Sequence, residues 1–225
     1  QDFECRSLIT LSQTLSDRGH CFSFTPASLK LPCLLAQRNY TELIQQFQSE
    51  DFQTWPFSQV GEAALARGMA RLRMKQGEAA ETDLTLALNY TPDPRIQSQI
   101  LLLLGENREH NLADEAGALK AYRQNYEGAG RVGSADQFRS IEGAARILTK
   151  QGKYDDALQA LEKAEIDQLK GFWRHEMQLA KGHTLAAAGK KQAAQQIYQS
   201  VLQDKTSSSG HRQQAEEQLK QLGAP

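Results

Sequence analysis

No run of apolar residues in this chain reaches the ~18 residues a transmembrane helix requires. The longest greasy stretch is Ile100 to Leu104, short enough to read as one buried helix face. Charge of one sign is also missing. The 225 residues carry 26 basic and 27 acidic side chains, so no net field draws the protein to nucleic acid or to an anionic membrane. Stretches rich in Val, Ile and Thr are scarce, which argues against a large β-sheet. Aromatics make up only 7%. Cysteine is confined to Cys5, Cys21 and Cys33. One pair could form a disulfide in an exported protein and leave an odd thiol, and three reduced cysteines are an equal alternative. The chain starts at Gln1 rather than Met and shows no signal peptide, which is expected if it begins after a cleavage or at a boundary. Cytoplasmic and exported (periplasmic or secreted) locations both remain open.

What is abundant is the helix-forming set of Ala, Leu, Gln, Glu, Lys and Arg, arranged in a repeat. Ile141, Ala144, Ala145 and Leu148 recur at helical spacing, as do Ala157, Leu158, Leu161 and Ala164. Between the two runs lies Gly152-Lys153, a break too short for anything but an antiparallel hairpin. Gly189-Lys190 separates two further runs in the same way. Gly68 precedes Ala80, Ala145 precedes Ala157 and Gly182 precedes Ala194, each by 12 residues. Gly105 and Ala118 are 13 apart, and Leu43 follows a turn at Asn39-Tyr40. Leu43, Ala80, Ala118, Ala157 and Ala194 succeed one another at 37, 38, 39 and 37 residues, the fixed period that marks a repeat architecture.

On these positions the chain resembles the tetratricopeptide-repeat family. Leu104-Gly105 matches that family's Leu-Gly pair. Gly68, Ala145 and Gly182 stand where it places a first small residue, and Ala80, Ala157 and Ala194 where it places the second. Tyr122 and Tyr198 match the following aromatic and Pro92 the closing proline. The signature Trp is absent from its usual place, since Trp55 and Trp173 fall near helix starts, and the period exceeds the family's ~34 residues. The resemblance spans roughly residues 30–205. It implies an all-α fold of tandem antiparallel hairpins stacked into a right-handed superhelix, an α-solenoid. The expected organisation is an N-terminal extension or cap over 1–25, about five hairpins over 26–205, and a polar linker with a capping helix over 206–225. In that last helix Ala215, Leu219 and Leu222 form the apolar stripe.

The residues supply little for catalysis. Gly128-Ala129-Gly130-Arg131-Val132-Gly133 spells GxGxxG, but a dinucleotide site needs a strand before that loop, and the pattern here predicts a helix. His20, His110, His175, His183 and His211 form no HExxH, and Cys5, His20, Cys21 and Cys33 lack the close pairing of a structural zinc site. There is no nucleophile elbow. Asn39-Tyr40-Thr41 and Asn89-Tyr90-Thr91 read as glycosylation sequons and equally as turn residues. The chain is expected to be no enzyme and to hold neither cofactor nor metal.

The expected role is a non-catalytic protein–protein interaction scaffold that binds a peptide or partner helix in the concave groove which the resemblance implies. The alternative is a spacer or self-association region of a larger protein. The groove would be lined by the first helix of each hairpin. Its open stripe reads Arg139, Glu142, Arg146 and Lys150 on the fourth hairpin, Glu176, Leu179, His183 and Ala186 on the fifth, and Leu65, Met69 and Arg73 on the second. Met69, Arg73, Arg139, Glu142, Arg146, Lys150 and His183 are therefore the candidate partner-binding residues. The basic members would suit an acidic or C-terminal peptide segment, and Glu142 with Arg146 also forms an ordinary i,i+4 pair. The Lys-and-Asn carboxylate clamp of the chaperone-binding members is not matched.

Overall fold

The computed structural model describes residues 38–47, 56–128 and 133–223. All regular structure among them is helical. One unit, ending at Ala113, holds α1 (Tyr40–Gln46), α2 (Phe57–Arg73), α3 (Gly77–Tyr90) and α4 (Pro94–His110). A second, beginning at Asp114, holds α5 (Glu115–Glu127), α6 (Ala135–Lys150), α7 (Tyr154–Glu162), α8 (Gly171–Ala187), α9 (Lys191–Gln203) and α10 (Ser209–Gln221). A short 3-10 turn, Ile166–Gln168, joins α7 to α8. The expected N-terminal cap, the three cysteines, Trp55 and the first helix of the first hairpin lie outside the described residues.

Three hairpin turns share one geometry. After α6, Gly152 takes φ +74° and the Lys153 amide donates to the Leu148 carbonyl at 2.9 Å. After α8, Gly189 takes the same φ and Lys190 donates to Leu185 at 2.9 Å. This is the left-handed C-terminal stop that glycine accepts without steric cost. After α2 the hydrogen bond recurs from Gln76 to Arg71 at 2.9 Å, but the left-handed residue is Lys75, at φ 59°. A side chain there costs about 1–2 kcal/mol, and the packing of α2 on α3 sustains it.

That packing is close because the small residues sit at the crossings. A Cβ built on Gly68 of α2 would stand 2.9 Å from the Leu84 side chain of α3, and one on Gly182 of α8 would stand 2.5 Å from the Tyr198 ring of α9. In the α6–α7 hairpin the same job falls to Ala145 and Ala157, which are 2% and 0% exposed. Gly143 of α6 receives the ring of Tyr122 from α5, so the second helix of one hairpin also beds against the first helix of the next. In the second unit α8 packs on α6, α7, α9 and α10. Ala215 of α10 is buried with Leu179, Tyr198 and Val201, and Leu219 and Leu222 pack on that cluster.

The third expected hairpin is the exception. Gly105 lies in α4 and Ala118 in α5, so its two helices fall in different units.

Buried polar groups staple the helices within each unit. Arg67 of α2 and Asp83 of α3 are 2% and 0% exposed. Arg67 Nε donates to Asp83 Oδ2 at 2.9 Å, Arg71 contacts the same carboxylate at 2.9 Å, and Arg67 Nη1 reaches back to the Phe47 carbonyl beyond α1 at 2.6 Å. One carboxylate thus neutralises a buried guanidinium that three successive segments share. In the second unit Asn125 of α5 donates to Ser140 of α6 at 2.8 Å.

Because Gly182 has no room for a methyl group, Gly182→Ala is expected to lower unfolding stability by about 1–3 kcal/mol. The control, Gly133→Ala, adds a Cβ with nothing within 4 Å and should change stability by less than about 0.5 kcal/mol. Urea unfolding of both variants checks this; an unshifted midpoint for Gly182→Ala would contradict the close crossing.

Candidate functional site

Helix α6 begins with a capping box. Ser134 Oγ accepts from the Gln137 amide at 3.2 Å, and Gln137 Oε1 accepts from the Ser134 amide at 3.1 Å. The glycine-rich GxGxxG segment ahead of it therefore follows one helix, α5, and leads into another, which is not the strand–loop–helix of a dinucleotide site. With its start fixed, α6 buries Phe138, Ile141, Ala144 and Leu148 and turns Arg139, Arg146 and Lys150 outward, with Glu142 half-buried.

Beside it runs α8. The two helices are linked across their faces by the Thr149 and Thr184 hydroxyls, 3.0 Å apart. Between them is a cleft of about 150 Å³. Helix α6 contributes Glu142, Ala145, Arg146 and Thr149, helix α8 contributes Glu176, Ala180, His183 and Thr184, and Gln214 of α10 closes one side. Of the candidate residues, Glu142, Arg146 and His183 come together here. Arg139 and Lys150 lie on α6 outside the cleft lining, and Lys150 reaches Glu115 of α5 at 2.5 Å. Met69, half-buried, and Arg73, exposed, belong to α2 in the other unit.

Leu179 corrects the sequence reading. It was expected on the open stripe of α8, yet it is 2% exposed and part of the core with Tyr198 and Val201. A helix embraced by four neighbours has more than one buried side, so a single apolar stripe cannot describe it. It forms the floor of the cleft rather than its rim.

Two histidines that spacing alone did not single out organise the edge of this face. His211 of α10 is 4% exposed. Its Nε2 lies 2.8 Å from Glu176 Oε1, and its Nδ1 lies 3.0 Å from Ser208 Oγ. His175 is fully buried, with Nε2 3.0 Å from Asp204 Oδ2, and the two imidazoles are 5.5 Å apart. Hydrogen bonds from Thr206 and then from His175 hold the Asp204 carboxyl well below the usual carboxylate range. Together these contacts fasten α10 and the end of α9 onto α8, which is how Gln214 comes to border the cleft. No local sequence signal pairs these residues, since Glu176 and Asp204 lie 35 and 29 residues from their histidines.

His183 differs in kind. Its ring lies 5.9 Å from that of Tyr198, and its Nε2 is buried with no hydrogen-bond partner among the described residues. Burial pushes its pKa below the ordinary 6.5, so the cleft wall carries a neutral imidazole at pH 7. The charges lining the cleft are then the two carboxylates, Glu142 and Glu176, against one guanidinium, Arg146. A second concavity, of about 280 Å³, opens among α7, α8 and α9, with Leu158, Ile166 and Ile197 beneath Glu162 and Lys181. It includes none of the candidate residues. Among the described residues no group of three or more His, Cys, Asp or Glu is placed to hold a metal ion, and no helix is long and apolar enough to cross a membrane.

The depressed His183 pKa carries a sign. Between its folded value and ~6.5 the unfolded chain binds the extra proton, so this residue makes stability fall as pH drops below ~6.5. Thermal melts between about pH 7 and pH 5 should show a shallower loss of stability in His183→Asn than in the parent; equal slopes would mean that burial does not suppress protonation at this ring. Against family models, curated proteins and solved structures, the chain gives no match.

Proposed function

We propose that the protein is a non-catalytic protein–protein interaction scaffold, a tetratricopeptide-like array of helix hairpins stacked as an α-solenoid. Its working surface is the face shared by α6, α8 and α10. The observation that carries this reading is the cleft between α6 and α8, where the first helices of two successive hairpins bring charged and polar side chains over a floor of Ala145, Leu179 and Ala180. Small residues at the crossings support the hairpin arrangement, because they let α2 lie close on α3, α8 on α9, and α5 on α6. A rigid, pre-formed surface of this kind lowers the ordering cost of binding an extended segment, and it needs no chemistry beyond hydrogen bonding and charge.

A second reading, a spacer or self-association region of a larger polypeptide, draws support from the same stacking, since a hairpin array also transmits length. Affinity capture from a native extract separates the two. A partner retained by the parent and lost by the Arg139→Glu/Arg146→Glu double variant is the expected outcome, since both side chains are exposed on α6. Enrichment of the chain itself, or of nothing, with either bait would favour the spacer reading.

A further inference from the structure

Helix α7 stops short of its counterparts. Counted from Ala80, Ala118, Ala157 and Ala194, the helices α3, α5, α7 and α9 each begin three residues earlier, at Gly77, Glu115, Tyr154 and Lys191. Beyond those alanines α3 runs on to Tyr90, α5 to Glu127 and α9 to Gln203, ten, nine and nine residues, whereas α7 ends after five, at Glu162. About one turn of helix is missing. The backbone builds the stop. The amides of Lys163, Ala164 and Glu165 donate to the carbonyls of Ala160, Leu161 and Glu162 at 3.2, 3.1 and 3.0 Å, which tightens the last turn. Glu165 then takes φ 47°, a left-handed conformation uncommon outside glycine, and the chain leaves through the 3-10 turn Ile166–Gln168.

The concavity of about 280 Å³ lies at this stop, between the end of α7, the back of α8 and Ile197 of α9. Where the other second helices continue, α7 leaves aliphatic side chains partly uncovered. Leu161 is 1% exposed, and Leu158, Ile166 and Ile197 are half-buried. The rim holds Glu162, Glu165 and Asp167 against Lys181. Glu165 has an interaction of its own, so the charge on offer is that of Glu162 and Asp167. Both are exposed, and among the described residues neither carboxylate is engaged by a hydrogen bond or an ion pair. We infer that this concavity binds an extended basic segment of a partner protein. An aliphatic side chain of that segment covers Leu158, Leu161 and Ile197, and a lysine or arginine two residues away meets Glu162 and Asp167. The sign follows from two open carboxylates facing one ammonium group. A long cationic side chain also lays its aliphatic stem along Ile166 while its head reaches the carboxylates.

The spacing follows from two rises. From Leu158 to Glu162 is four residues of α7, about 6 Å at ~1.5 Å per residue. An extended chain lying along α7 covers that distance in about two residues at ~3.3 Å each, and an even separation puts both side chains on the same side. The concavity shares no lining residue with the α6–α8 cleft. It is therefore a second surface, independent of the scaffold reading and of the basic stripe on α6.

Fluorescence anisotropy with the full chain tests this directly. The probe is labelled Gly-Lys-Ser-Leu-Ser-Lys-Gly, which offers the pair in either chain direction. Its controls replace both Lys by Glu, or Leu by Ser. The Lys probe should bind saturably, and each control about tenfold or more weaker. Glu162→Lys/Asp167→Lys, at two exposed positions, should weaken the Lys probe and strengthen the Glu version, a reversal that mere loss of folding cannot produce. Arg139→Glu/Arg146→Glu should leave the Lys probe bound as in the parent, which keeps this surface distinct from the α6–α8 face. No saturable binding, preference of the parent for the Glu version, indifference to the loss of Leu, or an unchanged order of probes in Glu162→Lys/Asp167→Lys overturns the inference. Loss of the Lys probe on Arg139→Glu/Arg146→Glu overturns it as well, by placing the peptide elsewhere.

Discussion

The close approach of helices at glycine and alanine is the constraint on which the rest depends. Tyr198 lies where a side chain at position 182 would be, and Leu84 does the same at position 68. At that range no side chain can intervene, so α8 and α9, or α2 and α3, meet in one register. The same economy of volume at Gly143 seats Tyr122 and sets the next hairpin. Once these crossings are fixed, α6 and α8 must lie side by side, their threonines meet, and the residues they turn outward face each other across a narrow cleft. The cleft face is therefore a consequence of packing on its opposite side.

Polar pairs then decide which faces stay open. In the first unit Asp83 neutralises Arg67 within the α2–α3 hairpin and draws in the end of α1. In the second, His175 with Asp204 and His211 with Glu176 bind the terminal helix to α8. These contacts are directional, whereas the alanine-rich core beneath them is not, so they define where α10 ends its approach. Had α10 docked a turn further along, Gln214 would not border the cleft.

The repeat was legible in sequence because its requirements are strict. A left-handed turn favours glycine, so Gly152 and Gly189 announced two hairpins, and a close crossing demands a small residue at a fixed distance. The turn after α2 was less legible, since Lys75 occupies the left-handed position at a cost that only tertiary packing offsets. Ala118 kept the beat of the repeat, but periodicity does not say which unit a helix joins, and the division falls between α4 and α5. On the candidate face, Glu142, Arg146 and His183 could be read from one helix at a time. Leu179 could not, because its burial comes from four neighbouring helices. Glu176 could be placed on that stripe, yet its partner His211 lies 35 residues away, beyond any local pattern.

The central claim is that partners bind across the first helices of the hairpins. Site-specific photocrosslinking measures this most directly. A benzoylphenylalanine at position 146 on α6 is compared with one at position 199 on α9, where Arg146 and Gln199 are both exposed. Crosslinks to a bound peptide or partner from position 146 and not from position 199 are the predicted result. Equal crosslinking from both, or crosslinking from position 199 alone, would contradict the account.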